Sequence, residues 1–195
     1  AYNIGLAFAT YQIQLLNKSS IKIGVSTDMR LSGPSLKDNL IKGLLDAGAD
    51  VYDLGLNSTP SFYFGVSYNN LDAGIQVSAS HNPKQYNGFK MVGENSKPIS
   101  KTTGLDVIKN IILENKYVSS NNKGSLHIIK DTTQTAIRTQ LENYDLSKVK
   151  PLKVVIDGAN SMGILDCIEI FKNIPQIQII KVNFELDGNL PAHDA

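Results

Sequence analysis

The chain has 195 residues, 42% of them hydrophobic and 7% aromatic with no tryptophan, enough for one large domain, or one domain and part of another. Nineteen basic and eighteen acidic residues leave a net charge of +1, so no global field points to nucleic acid or to a membrane surface. The lone Cys167 cannot close an internal disulfide, which fits a reducing, cytoplasmic setting, and no stretch approaches the roughly 20 apolar residues of a membrane span.

Ile4, Phe8, Tyr11 and Leu15 recur at helical spacing from almost the first residue, and there is no initiating methionine. The chain is therefore expected to begin inside an element, with upstream sequence removed. An apolar strand runs from Ile21 to Thr27. Pro34 suits a first helical position, Leu36, Leu40, Leu44 and Ala47 line one face, and Gly48 fits the stop. "ADVYDLG" reads as the next strand, "PSFYFGVSYNN" as a short helix and "AGIQVSAS" as a third strand.

"NGFKMV" reads as a strand, and Leu105, Ile108, Ile111 and Ile112 predict a helix from about Thr103 to Glu114. "SLHIIK" is a short strand, followed by a helix with Asp131 as its expected cap. The lysine-rich, Pro151-bearing stretch 145–153 predicts a boundary, with one domain over 1–147 and part of a second over 148–195. Beyond it come strand "LKVVID", turn "GANSMG", helix "ILDCIEIFKN" and strand "IQIIKVN". Such alternation predicts an α/β fold with a mixed, mainly parallel sheet flanked by helices, then the beginning of a second similar unit. That second unit is too small for an independent core.

Parallel α/β sheets bind ligands at the carboxyl ends of their strands, and "SASHNPKQYNGFK" puts Ser80 just past such an end. Pro83 biases Asn82 away from helical angles, backbone N–H groups of such a loop can face an anion, and Lys84 and Lys90 add positive charge. Ser, Asn and Pro are also ordinary turn residues, and His81 could simply bond a carbonyl. On spacing alone a polar turn and a nucleophile both fit Ser80. A serine-hydrolase elbow does not, because Ala79 and His81 flank Ser80 where that motif needs G-x-S-x-G.

Other segments carry less. "DGANSMG" lacks the Lys and Ser/Thr of a phosphate-binding loop and the G-x-G-x-x-G spacing of a dinucleotide site, so it reads as a tight turn. Asp28 and Arg30 read as a salt bridge or turn, His127 as structural, and Cys167 as core beside Ile164, Ile168 and Phe171; His193 is uninformative.

"VSASHNPKQYNGFK" resembles the active-serine loop of the α-D-phosphohexomutases, whose pattern is T/S-A/G-S-H-N-P followed by Y-N-G-x-K. "DMRLSGPSL", "DLGLNSTPSFYFGV" and "KVVIDGANSMG" keep that family's order and spacing, and "FELDGNLPAHDA" is similar to its D-G-x-F-P-x-H hinge. The resemblance is nearer to the phosphomannomutase/phosphoglucomutase branch; the phosphoglucosamine branch is the alternative within the family, and a non-catalytic sugar-phosphate-binding or scaffold module of the same fold is the alternative of another functional class.

The resemblance implies that Ser80 bears a transferable phosphate, that Lys90 acts as acid/base or charge stabiliser at the reacting hydroxyl, and that His81 helps hold or protonate the site. It implies a hexose phosphate substrate moved between its 1 and 6 positions, glucose or mannose 1,6-bisphosphate as activator, and Mg2+ held through the Ser80 phosphate. Thr27 and Met29 stand where the family's RDGR segment has Arg and Gly, which leaves Asp28 and Arg30 as structural residues. The D-G-D-x-D-R metal loop does not occur before Ala195, and Arg30 and Arg138 are the chain's two arginines. The chain is thus expected to be an N-terminal piece, inactive alone, whose uncovered second-unit strands leave room for self-association.

Overall fold

A computed structural model describes residues 1–118, 120 and 122–192, so His193 and the end of the hinge-like tail lie outside the described residues. In chain order the elements are α1 (Tyr2–Leu16), β1 (Lys22–Thr27), α2 (Gly33–Asp46), β2 (Asp50–Leu56), α3 (Thr59–Tyr68), β3 (Ala73–Val77), β4 (Phe89–Val92), α4 (Asp106–Leu113), β5 (Leu126–Ile128), α5 (Thr132–Leu141), β6 (Leu152–Asp157), α6 (Gly163–Lys172) and β7 (Ile177–Val182). The first five strands form one sheet in the order β4-β3-β1-β2-β5, in which β1 pairs parallel with β2 and β3, β2 pairs parallel with β5, and β3 pairs antiparallel with β4. This is the expected mixed, mainly parallel α/β sheet. A separate parallel pair, β6-β7, carries α6.

Period-2 alternation sends β1 side chains to opposite faces. Ile23 and Val25 join Phe8 of α1, Leu40 and Leu44 of α2, and Ile108 and Ile111 of α4 in the larger core. Leu54, Phe62, Val66, Leu71 and Val92 form the smaller core beneath α3 on the other face. Helices therefore cover both faces, as a sheet with apolar residues on each side requires. The second unit is less well covered: Leu152, Val155, Ile180 and Val182 of β6 and β7 remain exposed, and in α6 Ile164 is the one fully buried residue.

Asp131 stands at the start of α5, but φ 58° and ψ 31° put it in the left-handed region and its side chain makes no capping bond. A capping carboxylate needs an extended backbone to fold back onto the first-turn N–H groups. Here the Asp131 carbonyl, accepting from Thr135 N at 2.9 Å, opens the helix instead. Cys167 is half-buried rather than core; burial, with the nearby charge of Asp166, pushes its thiol up and disfavours the thiolate. His127 stacks on Tyr52 at 4.7 Å between ring centroids, a structural contact at the sheet edge.

Helices α1 and α2 cross at Gly5 and Gly43, where a Cβ on Gly5 would meet the Leu40 carbonyl and one on Gly43 the Tyr2 carbonyl. Alanine raises helix propensity by about 1 kcal/mol, yet forcing apart packed backbone costs about 1–3 kcal/mol. The clash should win, because backbone cannot step aside as a side chain can. Gly43→Ala is expected to lower the unfolding free energy by about 1–2 kcal/mol in urea denaturation, whereas a net gain in stability would contradict so close a crossing.

Candidate active site

Strand order alone says where a site should form. From β1 the chain crosses to β2 on one side, while β3 lies on the other, so the carboxyl ends of β1 and β3 part the connections at a topological switch point. Asp28 to Arg30 follow β1 there, and Ser78 to His81 follow β3. A cleft of about 320 Å³ opens between them, lined by Arg30, Thr59, Gln76, Ser80, His81 and Lys90 among others. The second unit adds Ser161, Met162 and Leu190 to its wall. Gly188 packs so closely on the backbone of Met29 and Leu31 that a Cβ there would strike the Met29 carbonyl.

Arg30 organises the loop. Its side chain is 1% exposed, and every guanidinium N–H is engaged. Nε donates to Asp28 Oδ2 at 3.3 Å. Nη1 donates to the carbonyls of Pro83 and Tyr86 at 2.8 and 3.1 Å, and Nη2 to those of Ser80 and Asn82 at 2.8 and 2.6 Å. A guanidinium has five donors, and these contacts use all five. The expected salt bridge to Asp28 is present, but the greater part of the contact goes to backbone some 50 residues further along the chain.

That clamp bends the loop back on itself and leaves Ser80 with φ 57°, a left-handed conformation unusual for serine. Ser80 N donates to the buried Ser78 Oγ at 3.1 Å, and Asn82 Nδ2 to the Ala79 carbonyl at 3.0 Å. Asn87 Nδ2 ties the returning arm to Ser32 Oγ at 2.9 Å. With its carbonyls drawn inward, the loop turns the Ser80 hydroxyl outward, where Oγ and His81 Nδ1 share a hydrogen bond of 3.1 Å whose direction follows the imidazole tautomer.

Lys90 lies on β4, directly opposite Gln76 of β3. Its Nζ donates to Thr59 Oγ1 at 3.1 Å, at the first turn of α3, which Ser58 caps. Thr59 Oγ1 in turn donates to Gln76 Oε1 at 2.8 Å. The three residues singled out in the sequence, Ser80, His81 and Lys90, thus line one cleft. Lys84 is exposed and is not among the residues lining it. Sequence reasoning missed the contribution of Thr59 and Gln76, which register and strand order alone bring beside Lys90.

Among the described residues no cluster of three or more His, Cys, Asp or Glu could hold a metal ion. Asp28 is the carboxylate lining the cleft, and both its oxygens accept from Arg30. Among the described residues, side chains alone therefore do not make a magnesium site at this cleft.

Removing the clamp should cost more than an exposed arginine would. Arg30→Ala leaves Asp28 buried without its cation and four loop carbonyls without donors. Breaking a buried pair in this way costs about 3–5 kcal/mol, and urea denaturation should show a loss of that order. A loss below about 1 kcal/mol, the scale of an exposed pair, would contradict the clamp.

Comparison with known proteins places these features. The family model described as "Phosphoglucomutase/phosphomannomutase, alpha/beta/alpha domain I" matches residues 1–119. A phosphomannomutase of Vibrio cholerae is 37% identical over 98% of this chain and 42% of its own length. One from Klebsiella pneumoniae is 45% identical over 60% of this chain and 71% of its own length. The crystal structure of a phosphoglucomutase/phosphomannomutase family protein from Burkholderia thailandensis superposes with a TM-score of 0.81 at 28% identity, covering 99% of this chain and 42% of that one. The chain spans less than half the length of the Vibrio and Burkholderia proteins. On a family match that takes in the β1 turn, the Ser80 loop and Lys90 alike, the chain belongs to the phosphoglucomutase/phosphomannomutase family.

Proposed function

We propose that the whole protein of which this chain is part is a phosphohexomutase, an intramolecular phosphotransferase moving phosphate between the 1 and 6 positions of glucose or mannose phosphates. The observation that carries the reading is the convergence of Ser80, His81 and Lys90 on one cleft at the carboxyl edge of the sheet. A phosphate on Ser80 would bear about −1.5 to −2 charges, and Lys90 is the cation lining that cleft whose donors are not all committed to the fold. The two sheets and the family match support reading 1–147 as one domain and 148–195 as the opening of a second.

In the proposed step a sugar hydroxyl oxygen attacks phosphorus in line, the P–Oγ bond of Ser80 breaks, and a hexose bisphosphate forms. The hydroxyl proton passes to solvent water as its oxygen bonds to phosphorus, and Ser80 Oγ takes up one proton as it departs, so the step is proton-neutral. His81 Nδ1, 3.1 Å from Oγ, suits that delivery, and Lys90 suits charge stabilisation at the reacting oxygen. Return of the other phosphate to Ser80, after the intermediate turns around, balances the cycle. A divalent cation such as magnesium would neutralise charge on the transferring phosphoryl group. This chain would offer it a Ser80 phosphate oxygen.

Incubation of the whole protein with glucose 1,6-bisphosphate should add one phosphate, found at Ser80 by intact mass and peptide mapping. Stable phosphate at Ser78 with Ser80 unmodified would sink the assignment. Lys90→Ala should lower turnover of glucose 1-phosphate by about 10² or more with little change in melting temperature. Unchanged turnover with a lowered melting temperature would make Lys90 structural. The 195-residue chain by itself should give no sustained turnover in the same assay.

A further inference from the structure

The floor of the cleft is a chain of buried and half-buried polar groups whose hydrogen bonds run in a single direction. Gln76 is 1% exposed, and its Nε2 donates to the Asn57 carbonyl at 2.9 Å. A backbone carbonyl only accepts, so this bond fixes the carboxamide with Oε1 toward Thr59. An amide oxygen also only accepts, so the one hydroxyl proton of Thr59 is committed to it. The Thr59 oxygen is then left with lone pairs alone, and these face Lys90 Nζ at 3.1 Å. The support is itself anchored: Asn57 Nδ2 donates to the Leu54 carbonyl at 2.6 Å, leaving Asn57 Oδ1 to accept from Thr133 Oγ1 at 2.9 Å.

We propose that Thr59 is a positioning residue for Lys90, with Gln76 setting the polarity of its hydroxyl. An ammonium has three N–H donors. Among the described residues Thr59 is the hydrogen-bond partner of Nζ and takes one of them. The remaining two are free to meet oxygens of a phosphate carried by Ser80 or by the sugar. A threonine hydroxyl suits this task better than a carboxylate: it tethers the ammonium at one corner without neutralising it, so the full charge stays available. The proposal rests on the phosphotransfer reading of Ser80 and Lys90 and adds to it the group that aims the lysine.

The test compares Thr59→Val, which keeps the side-chain shape and removes the hydroxyl, with Thr59→Ser, which keeps the hydroxyl. Both are made in the whole protein, with Thr59→Ala as a second hydroxyl-free variant should valine fail to fold. Two quantities are read: the labelling rate of Lys90 by an amine-reactive reagent relative to Lys37, which Asp53 holds at 2.8 Å, and kcat and KM for glucose 1-phosphate with bisphosphate activator. Loss of the hydroxyl should raise relative labelling of Lys90 and lower kcat by about tenfold to a hundredfold with KM little changed. Serine should restore both. Wild-type labelling and kcat in Thr59→Val would overturn the proposal, as would a serine variant as impaired as the valine one. If the unsubstituted protein takes no phosphate on Ser80, the phosphotransfer reading fails, and the labelling contrast still decides whether Thr59 holds Lys90.

Discussion

A single buried guanidinium holds the candidate site in shape. A loop that doubles back within a few residues turns several carbonyls toward one another, and those carbonyls need a donor where water is excluded. Arg30 meets four of them from one planar group, while Asp28 balances its charge. The energies favour the arrangement. A left-handed residue costs about 1–2 kcal/mol, whereas each hydrogen bond to a charged group contributes about 1.5–3 kcal/mol. Lysine could not substitute, because a point charge lacks the fork that reaches four oxygens and a carboxylate at once. The same saturation means that Arg30 has no donor left for a substrate phosphate. It is a clamp on the protein, and the work on substrate falls to other groups.

The sheet supplies the rest. Parallel β1 and β3 end side by side, so the Arg30 turn and the Ser80 loop emerge as neighbours although 50 residues separate them. The antiparallel return of β4 brings Lys90 back beside Gln76, and the start of α3 after β2 contributes Thr59. Thr59, Gln76 and Lys90 thus stand on regular elements, which restrain their geometry more than a free loop would. Burying Asn57, Gln76 and Thr133 would be costly if any were left unmatched. Their mutual bonds offset that cost and give the floor one defined pattern.

Much of this was legible in the sequence, and what was not has a common cause. The apolar periodicity of α1 and α2 and the apolar run of β1 marked those elements because burial in the main core dictates them. Ser80, His81 and Lys90 stood out because a compact motif spells them in one segment. Arg30 read as half of a local salt bridge, since its other partners are backbone carbonyls that sequence does not display. Thr59 and Gln76 are joined to Lys90 only by strand order and register. Asp131 looked like a cap by residue type, but its left-handed backbone turns that role over to a carbonyl. Cys167 shared an apolar face whose cover in the described residues is partial, so it is half-buried rather than core. Local chemistry was readable; long-range hydrogen bonding was not.

The most direct measurement is the backbone conformation of the loop with the clamp weakened. NMR couplings and chemical shifts of Ser80 in the unsubstituted chain and in Arg30→Lys report φ at that residue without reference to catalysis. A positive φ in the first, replaced in the second by averaged or extended values while β1 and β3 keep their native signals, is the result expected if Arg30 holds Ser80 in place. Retention of the positive φ in Arg30→Lys, with the loop signals unshifted, would contradict it and show that the loop shapes itself.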